Sequence, residues 1–124
     1  MKFTQLVSKV FYSDIKPGLN LFVDCLGFKI SYDDLKNETE PFCVIGRDGL
    51  KLMLVENAEF AEKDRPEIRL ETDDIDDVFA VVSANFKELL HPNLSRPTLR
   101  PWGAKEFALL DSSGVCIVIC QWMN

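Results

Sequence analysis

The sequence predicts an α+β protein in which one strand–helix–strand–strand–strand module occurs twice. Two helical patterns begin with the same dipeptide, Asp-Ile, at Asp14 and at Asp74. Each pattern follows one strand-like run and precedes three others, and such internal repetition is typical of a duplicated unit. The chain has 124 residues, of which 47% are hydrophobic, and this suits one folded domain. We therefore expect a single domain over 1–124, with modules at about 1–56 and 67–124 and a linker at 57–66.

The first module is centred on an amphipathic helix. Apolar residues recur at helical spacing from Leu19 to Leu26, which predicts one buried face. Asp14 is positioned to cap the free amides of this helix, and Pro17 is compatible with its first turn. Gly27 suits a left-handed helix end. The strand-like runs of this module are 3–11, 28–33, 42–46 and 50–56.

The second module repeats this organisation. The spacing of Ile75, Val78, Phe79 and Val82 predicts a helix with Asp74 as its cap. The segment 57–66 before this module is polar and ends in proline, which suits a linker. The strand-like runs of this module are 67–72, 95–99, 105–110 and 115–121.

Composition and charge exclude several classes of function. The formal net charge is -6 and the sequence pI is about 4.7, whereas nucleic acids and anionic membranes bind positive surfaces. A cationic small molecule would be attracted, although ordinary solubility explains the charge equally well. No run reaches membrane-spanning length, and the first residues lack a secretory pattern. The expected location is therefore the cytoplasm.

The stretch from Arg100 to Ile119 carries a family resemblance. It contains a Pro-Trp-Gly corner around Trp102, a Glu-Phe-Ala-Leu strand from Glu106 and an Asp-Ser-Ser-Gly turn from Asp111. It resembles the closing hairpin of the bleomycin resistance protein family, a branch of the glyoxalase/bleomycin-resistance/extradiol-dioxygenase superfamily, in which this turn is usually Asp-Pro. The likeness covers most of 10–56 and 98–121. It is weak in 57–97, where the family often has tryptophans that this chain lacks.

The resemblance implies two curled four-stranded sheets around a cup, with helices outside, in an intertwined homodimer. It also implies two grooves at the dimer interface, where an aromatic pair grips the flat bithiazole of bleomycin and acidic groups meet its cationic tail. Carried over by position, Trp102 and Phe42 would form the stacking pair, and Tyr32, Asp33 and Asp34 would line the groove. A structural role in the core, rim or chain corner remains open for the three aromatic residues.

Enzymes of the superfamily hold a divalent cation on the first and last strands of each module. Seven residues before each capping Asp stand Val7 and Glu67, and seven residues after each turn glycine stand Glu56 and Gln121. Valine cannot ligate a metal, and the only histidine, His91, lies in a loop. A catalytic transition-metal site needs at least three good ligands, usually with imidazole. We therefore expect no metal or other cofactor.

Two alternatives at these positions remain open. Glu56, Glu67 and Gln121 could bind Mg²⁺ or Mn²⁺ through oxygen ligands alone. Glu56 and Glu67 could also face each other as a metal-free acid/base pair, because crowding would raise the pKa of one carboxyl.

Strand alternation predicts which residues share a face. Leu50, Leu52 and Leu54 share one with Glu56, and Val115, Ile117 and Ile119 share one with Gln121; we expect both sets on the inner surface of the cup. On the strand of Glu67, Ile68 and Leu70 should pack on the helix. The predicted ligand-binding residues are Tyr32, Asp33, Asp34, Phe42, Leu54, Glu56, Glu67, Trp102 and Gln121.

The sequence as a whole favours a homodimeric protein that sequesters a small cationic or aromatic drug without catalysis and binds neither nucleic acid nor membrane. One alternative is a lyase, isomerase or dioxygenase of the glyoxalase class with a divergent metal site. Another is a related binding protein with a different ligand. Valine at position 7 without a compensating histidine favours binding over catalysis.

Overall fold

Two four-stranded sheets form the computed structural model, which describes residues 1–63 and 65–123. The chain divides into two compact units, residues 1–64 and 65–124, and each contains one sheet. Both sheets have the same order of strands, so the predicted α+β duplication is confirmed. No helix in the described part of the chain is long and apolar enough to cross a membrane.

The first unit has the strand order β1-β4-β3-β2. Strand β1 runs parallel to β4, and the other pairs are antiparallel. The bounds are Ser8–Tyr12 for β1, Lys29–Asp34 for β2, Phe42–Arg47 for β3 and Leu50–Glu56 for β4.

The helix of this unit changes geometry after one turn. Helix α1 (Lys16–Gly18) continues as a π-helix over Leu19–Cys25, in which Leu26 N donates to the Leu21 carbonyl oxygen at 3.0 Å. The chain then leaves the helix at Gly27, whose φ of 74° is the left-handed conformation predicted for this glycine.

Helix α1 approaches the sheet closely at Gly18. A Cβ atom at this position would lie 2.5 Å from Cε2 of Tyr12, whose side chain is fully buried. Because no larger residue fits over the tyrosine ring, this glycine permits the contact between helix and sheet. The contact also identifies the helix-covered face of the first sheet as the one that carries Tyr12.

The segment predicted as a linker contains a short helix, α2 (Ala58–Lys63). Asn57 Oδ1 accepts a hydrogen bond from Phe60 N at 3.2 Å, which satisfies a free amide at the helix start. The rings of Phe60 and Phe11 lie 5.2 Å apart, so α2 packs on β1.

The second unit has the strand order β5-β8-β7-β6, with β5 parallel to β8. Helix α3 (Ile75–Asn85) is capped as predicted, because Asp74 Oδ1 accepts from Asp77 N at 3.1 Å. It packs on β7 through an edge-to-face contact of Phe79 with Phe107 at 5.3 Å. The bounds are Glu67–Glu71 for β5, Thr98–Leu99 for β6, Ala104–Leu110 for β7 and Cys116–Trp122 for β8, with a 3₁₀ turn at Lys87–Leu89.

Candidate functional site

The polar residue at the end of the last strand of each unit accepts a hydrogen bond from a backbone amide at a helix start. Glu56 Oε2 accepts a hydrogen bond from Ile15 N at 3.0 Å. At the matching position of the second unit, Gln121 Oε1 accepts from Ile75 N at 2.9 Å, and its Nε2 donates to the Asp73 carbonyl oxygen at 2.7 Å. Free amides at a helix start need such acceptors. Both side chains therefore have a structural role within their own unit.

The structure corrects the predicted face of β4. Glu56 pairs in register with Tyr12, and Leu54 pairs with Val10. Since Tyr12 lies against Gly18 of α1, these residues belong to the helix-covered face, and Leu54 is fully buried there. The prediction that Leu54 and Glu56 lie on the face away from the helix is therefore wrong.

The same correction applies to β8 in the second unit. Ile119 pairs in register with Phe107, and Phe107 contacts Phe79 of α3. Gln121 shares the face of Ile119 because strand residues two apart point the same way, and its bond to Ile75 N confirms this. The predicted sets of residues that share a face are therefore correct, but the side of the sheet predicted for them is wrong.

The two first-strand positions are both exposed. Val7 precedes β1 and is 39% exposed, and Glu67 is exposed at the start of β5. On β5 the predicted alternation is observed, with Ile68 and Leu70 less exposed than Glu67. No group of three or more His, Cys, Asp or Glu side chains in the described residues could hold a metal ion.

The only histidine belongs to a loop, as predicted. His91 Nδ1 accepts a hydrogen bond from Asn93 N at 3.1 Å. Its own backbone N donates to the Ala108 carbonyl oxygen at 2.9 Å, so the loop is attached to β7. The imidazole acts here as a local acceptor within the turn.

An aromatic pair lies on the opposite face of the first sheet. The rings of Tyr32 and Phe42 are stacked, with centroids 5.6 Å apart and planes at 29°. The side chain of Tyr32 is 56% exposed, whereas Phe42 is half-buried. A stacked pair with one accessible ring offers a flat apolar surface to another flat group.

Two carboxylates follow Tyr32 at the end of β2, one on each face of the sheet. Asp34 pairs in register with Phe42, and its Oδ2 accepts from Asn37 Nδ2 at 3.0 Å. Asp33 Oδ1 accepts from Leu35 N at 3.0 Å. Burial raises the pKa of the Cys43 thiol, and the charge of Asp33 raises it further. Asp34 therefore places negative charge at the edge of the aromatic pair, whereas Asp33, in register with Cys43, lies on the helix-covered face.

The tryptophan corner of the second unit is closed by backbone hydrogen bonds. Gly103 N donates to the Arg100 carbonyl oxygen at 3.0 Å, and Arg100 N donates to the Ala104 carbonyl oxygen at 2.8 Å. Gly103 has a φ of 90°, which favours glycine. Trp102 lies in this turn and is 52% exposed, so the corner presents an indole ring at the surface.

The indole is bonded to a buried carboxylate that the sequence analysis did not identify as functional. Trp102 Nε1 donates to Glu106 Oε2 at 3.0 Å, and Glu106 is only 2% exposed. Arg69 Nη2 donates to the same oxygen. Arg100 Nε lies 3.9 Å from Glu106 Oε1, and its guanidinium carbon is 4.9 Å from the centroid of the Trp102 ring.

These neighbours keep Glu106 ionised. Burial alone would raise the pKa of its carboxyl, but the hydrogen bonds from Trp102 and Arg69 outweigh burial and hold the pKa below its ordinary value. The same contact raises the pKa of Arg69. The only sequence signal for this cluster was a charged residue amid the apolar positions of β7.

The second tryptophan makes a similar but exposed contact. Trp122 Nε1 donates to Glu71 Oε2 at 2.8 Å, and its side chain is 49% exposed. Met123 N donates to the Gly103 carbonyl oxygen at 3.0 Å, which joins the end of β8 to the tryptophan corner. Trp122 and Met123 therefore extend the accessible apolar surface of the second unit.

Similar solved structures include proteins that bind antibiotics. A bleomycin-binding protein complexed with bleomycin has a TM-score of 0.72 and 20% identity, over 96% of this chain and 98% of that chain. A bleomycin resistance determinant encoded on the transposon Tn5 has a TM-score of 0.71 and 18% identity, over 98% and 100%. The antibiotic binding protein TnmS3 from Streptomyces sp. CB03234 has a TM-score of 0.74 and 21% identity, over 98% of each chain.

At this level of identity the comparison establishes the fold. The chain has the two-module α+β fold of the bleomycin-binding proteins and of the glyoxalase/bleomycin resistance protein/dioxygenase superfamily. No family model and no curated protein sequence matches the chain.

Proposed function

We propose that this protein, which has the fold of the bleomycin-binding proteins, binds and sequesters a small, flat, cationic organic molecule without transforming it. Held by the protein, such a drug is kept from its target, and no turnover is needed. The proposed form is a cytoplasmic homodimer with its grooves at the interface between subunits. A membrane or a nucleic acid is not part of this proposal.

The observation that carries the proposal is the accessibility of the aromatic rings. Tyr32 is 56% exposed beside Phe42, and Trp102 is 52% exposed in its corner. Large exposed aromatic groups are costly in water and are enriched at binding sites. A flat ligand that stacks on one ring gains about 0.5–1.5 kcal/mol beyond the area it buries.

Charge favours a cationic ligand at the first of these surfaces. Asp33 and Asp34 follow Tyr32 on β2, and the chain as a whole has a formal net charge of -6. A positive ligand is attracted by this field, most strongly at low ionic strength. The proposed ligand therefore stacks on Tyr32 and Phe42 with its cationic group near Asp34, and Asp33 adds to the field from the other face of the sheet.

Binding without chemistry is supported by the roles of the last-strand residues. Glu56 and Gln121, which the family resemblance assigned to metal-ligand positions, are each hydrogen-bonded to a helix start. Moving either one to a metal would leave the backbone N–H of Ile15 or Ile75 without its acceptor. Catalysis through these two residues would therefore cost helix stability.

The proposed dimer is supported by apolar groups at the surface of the second unit. Leu99, Trp122 and Met123 are 65%, 49% and 43% exposed. Large exposed apolar patches mark protein–protein interaction sites, and these three residues are candidates for one. Sedimentation of the purified protein measures this directly, and a monomer at the concentrations used for binding would contradict the dimer.

The function is tested by titrating metal-free protein with metal-free bleomycin, using calorimetry and tryptophan fluorescence. We expect saturation near one drug per subunit and no requirement for divalent metal. Tight stoichiometric uptake of metal together with no drug binding would contradict the proposal and favour a metalloenzyme.

The aromatic surfaces are tested by Tyr32→Ala and Trp102→Ala. Each should weaken binding by about tenfold, the equivalent of about 1.4 kcal/mol. Phe60→Ala is the matched control, since Phe60 is also a half-exposed aromatic residue but packs on Phe11. Equal effects from all three variants would indicate general destabilisation instead of lost ligand contacts.

A further inference from the structure

We propose that Glu106 is a positioning residue that fixes the plane of the Trp102 ring, so that the corner presents one rigid aromatic face to the ligand. This proposal rests on the function proposed above for Trp102, but its first test requires no ligand.

The backbone of the tryptophan corner is held in place, so only the side chain of Trp102 can move. Three backbone hydrogen bonds hold the turn, two of them between Arg100, Gly103 and Ala104, and the third from Met123 N to the Gly103 carbonyl oxygen at 3.0 Å. With the backbone fixed, the ring position depends on the two side-chain torsions of the tryptophan. A group that holds the indole N–H therefore determines where the ring lies.

Glu106 is suited to hold this group. It lies on β7, where it pairs in register with Cys120 in the centre of the sheet, and its side chain is 3% exposed. Trp102 Nε1 donates to its Oε2 at 3.0 Å. A bond to a buried charged acceptor is shorter and stronger than one between neutral groups, and the strand that carries this acceptor is rigid.

Arg69 offsets the cost of burying the Glu106 carboxylate, and Arg100 further restricts the position of the Trp102 ring. Arg69 forms a hydrogen-bonded ion pair with Glu106, which compensates for the cost of burying the charge. The guanidinium of Arg100 lies over the indole at 4.9 Å from its centroid. Arg100 Nε is buried and has no hydrogen-bond partner among the described residues, so it is held by charge and by the ring.

The consequence is a prearranged ligand contact. One face of the indole is covered by Arg100, its N–H is bonded to Glu106, and the ring is still 52% exposed. Fixing a side chain before binding removes an entropy cost from the binding step. Because a cation already lies over the ring, the remaining face suits a neutral flat group better than a second cation.

The test uses the fact that the chain has only two tryptophans. In a Trp122→Phe background, Trp102 is the only fluorophore of its kind and gives the only indole N–H resonance. Into this background we place Glu106→Ala, Glu106→Gln and, as the control, Glu71→Gln, which removes a carboxylate from strand β5 of the same sheet.

We expect Glu106→Ala to shift the indole proton resonance towards that of free indole and to lower the fluorescence anisotropy. Glu106→Gln should give an intermediate result, since a neutral amide oxygen accepts weaker hydrogen bonds than a carboxylate. If Glu106→Ala fails to fold, the glutamine variant provides the same comparison. Glu71→Gln should leave the ring unchanged.

The second readout is bleomycin affinity. Glu106→Ala should raise the Kd by about two- to twelvefold, the cost of ordering one side chain upon binding. A ring that stays ordered in this variant, or a freed ring with unchanged Kd, would overturn the proposal. If the parent itself binds no bleomycin, the function proposed above fails, and the resonance and anisotropy still decide whether Glu106 positions Trp102.

Discussion

Replacing Glu56 with alanine should destabilise the first unit, because this carboxylate accepts the hydrogen bond from Ile15 N at 3.0 Å. Ile15 is only 7% exposed, so water replaces the lost acceptor incompletely. Loss of a helix cap costs about 0.5–2 kcal/mol, and a buried N–H left without a partner costs about 1–3 kcal/mol. We therefore expect Glu56→Ala to lower the free energy of unfolding by about 1–2 kcal/mol.

Glu56→Gln is the diagnostic comparison. Its amide oxygen can still accept from Ile15 N, so only the interaction of a negative charge with the helix start is lost, about 0.3–1 kcal/mol. Gln121→Ala should resemble Glu56→Ala or exceed it, because Gln121 bonds both Ile75 N and the Asp73 carbonyl oxygen. Bleomycin affinity should be unchanged in Glu56→Gln.

The assay is equilibrium unfolding in urea followed by far-ultraviolet circular dichroism, which reports on both units. A shift of the midpoint at constant slope would identify a change in stability alone. If Glu56→Gln destabilised the protein as much as Glu56→Ala, the hydrogen bond would not be the relevant interaction. If Glu56→Gln left stability intact and abolished activity towards a substrate, proton transfer or metal binding at Glu56 would replace the structural account.

Two further perturbations test other contacts. The pKa of Glu106 is lowered in the folded protein, so its stabilising contribution is complete above the ordinary glutamate pKa of about 4.3 and is lost as pH falls through the folded value. The difference in unfolding free energy between the parent and Glu106→Gln, measured in urea at a series of pH values, should therefore shrink below about pH 4.3; a difference independent of pH would contradict the ion pairing. Gly18→Ala should destabilise by about 1–3 kcal/mol through overpacking against Tyr12. Gly49→Ala, with a positive φ of 81° but open space around the added Cβ, measures instead the cost of backbone strain without overpacking. A Gly18→Ala variant as stable as the parent would refute the steric argument.

Local sequence predicted the strands well where turns define them. Strand β4 was predicted at 50–56 and is observed at Leu50–Glu56. The preceding turn contains Asp48 with φ 53° and Gly49 with φ 81°, and such residues mark hairpin turns strongly. Helix α2 was missed because a polar segment that ends in proline has little local signal, and its packing depends on the Phe11–Phe60 contact.

The face of each last strand could not be predicted from alternation. A period of two gives which residues share a side, but it does not say which side meets the helix. Here the side that meets the helix is shown only by contacts between residues far apart in the sequence, such as Glu56 and Ile15, which are 41 residues apart. Glu56, an acidic residue at a strand end, was therefore interpreted as part of a ligand site, whereas it accepts a hydrogen bond at a helix start.

The sequence predicted the aromatic residues of the candidate site but not Glu106, because the burial of Glu106 depends on residues far away in the sequence. Tyr32, Phe42 and Trp102 were identified from chain corners and from the family resemblance, which are local features. The buried state of Glu106 depends on Arg69, 37 residues away. No local pattern distinguishes such a glutamate from one on a solvated strand, and its partner became apparent only in the folded chain.

The division of the chain into two units also separates its chromophores. Both tyrosines, Tyr12 and Tyr32, belong to the first unit, and both tryptophans, Trp102 and Trp122, belong to the second. Emission excited at 295 nm, the red edge of protein absorption, therefore reports the second unit alone. Tyrosine fluorescence reports the first unit. The native protein thus carries a separate fluorescent reporter in each unit, and stopped-flow measurements can use the two reporters to determine whether the units fold at the same time.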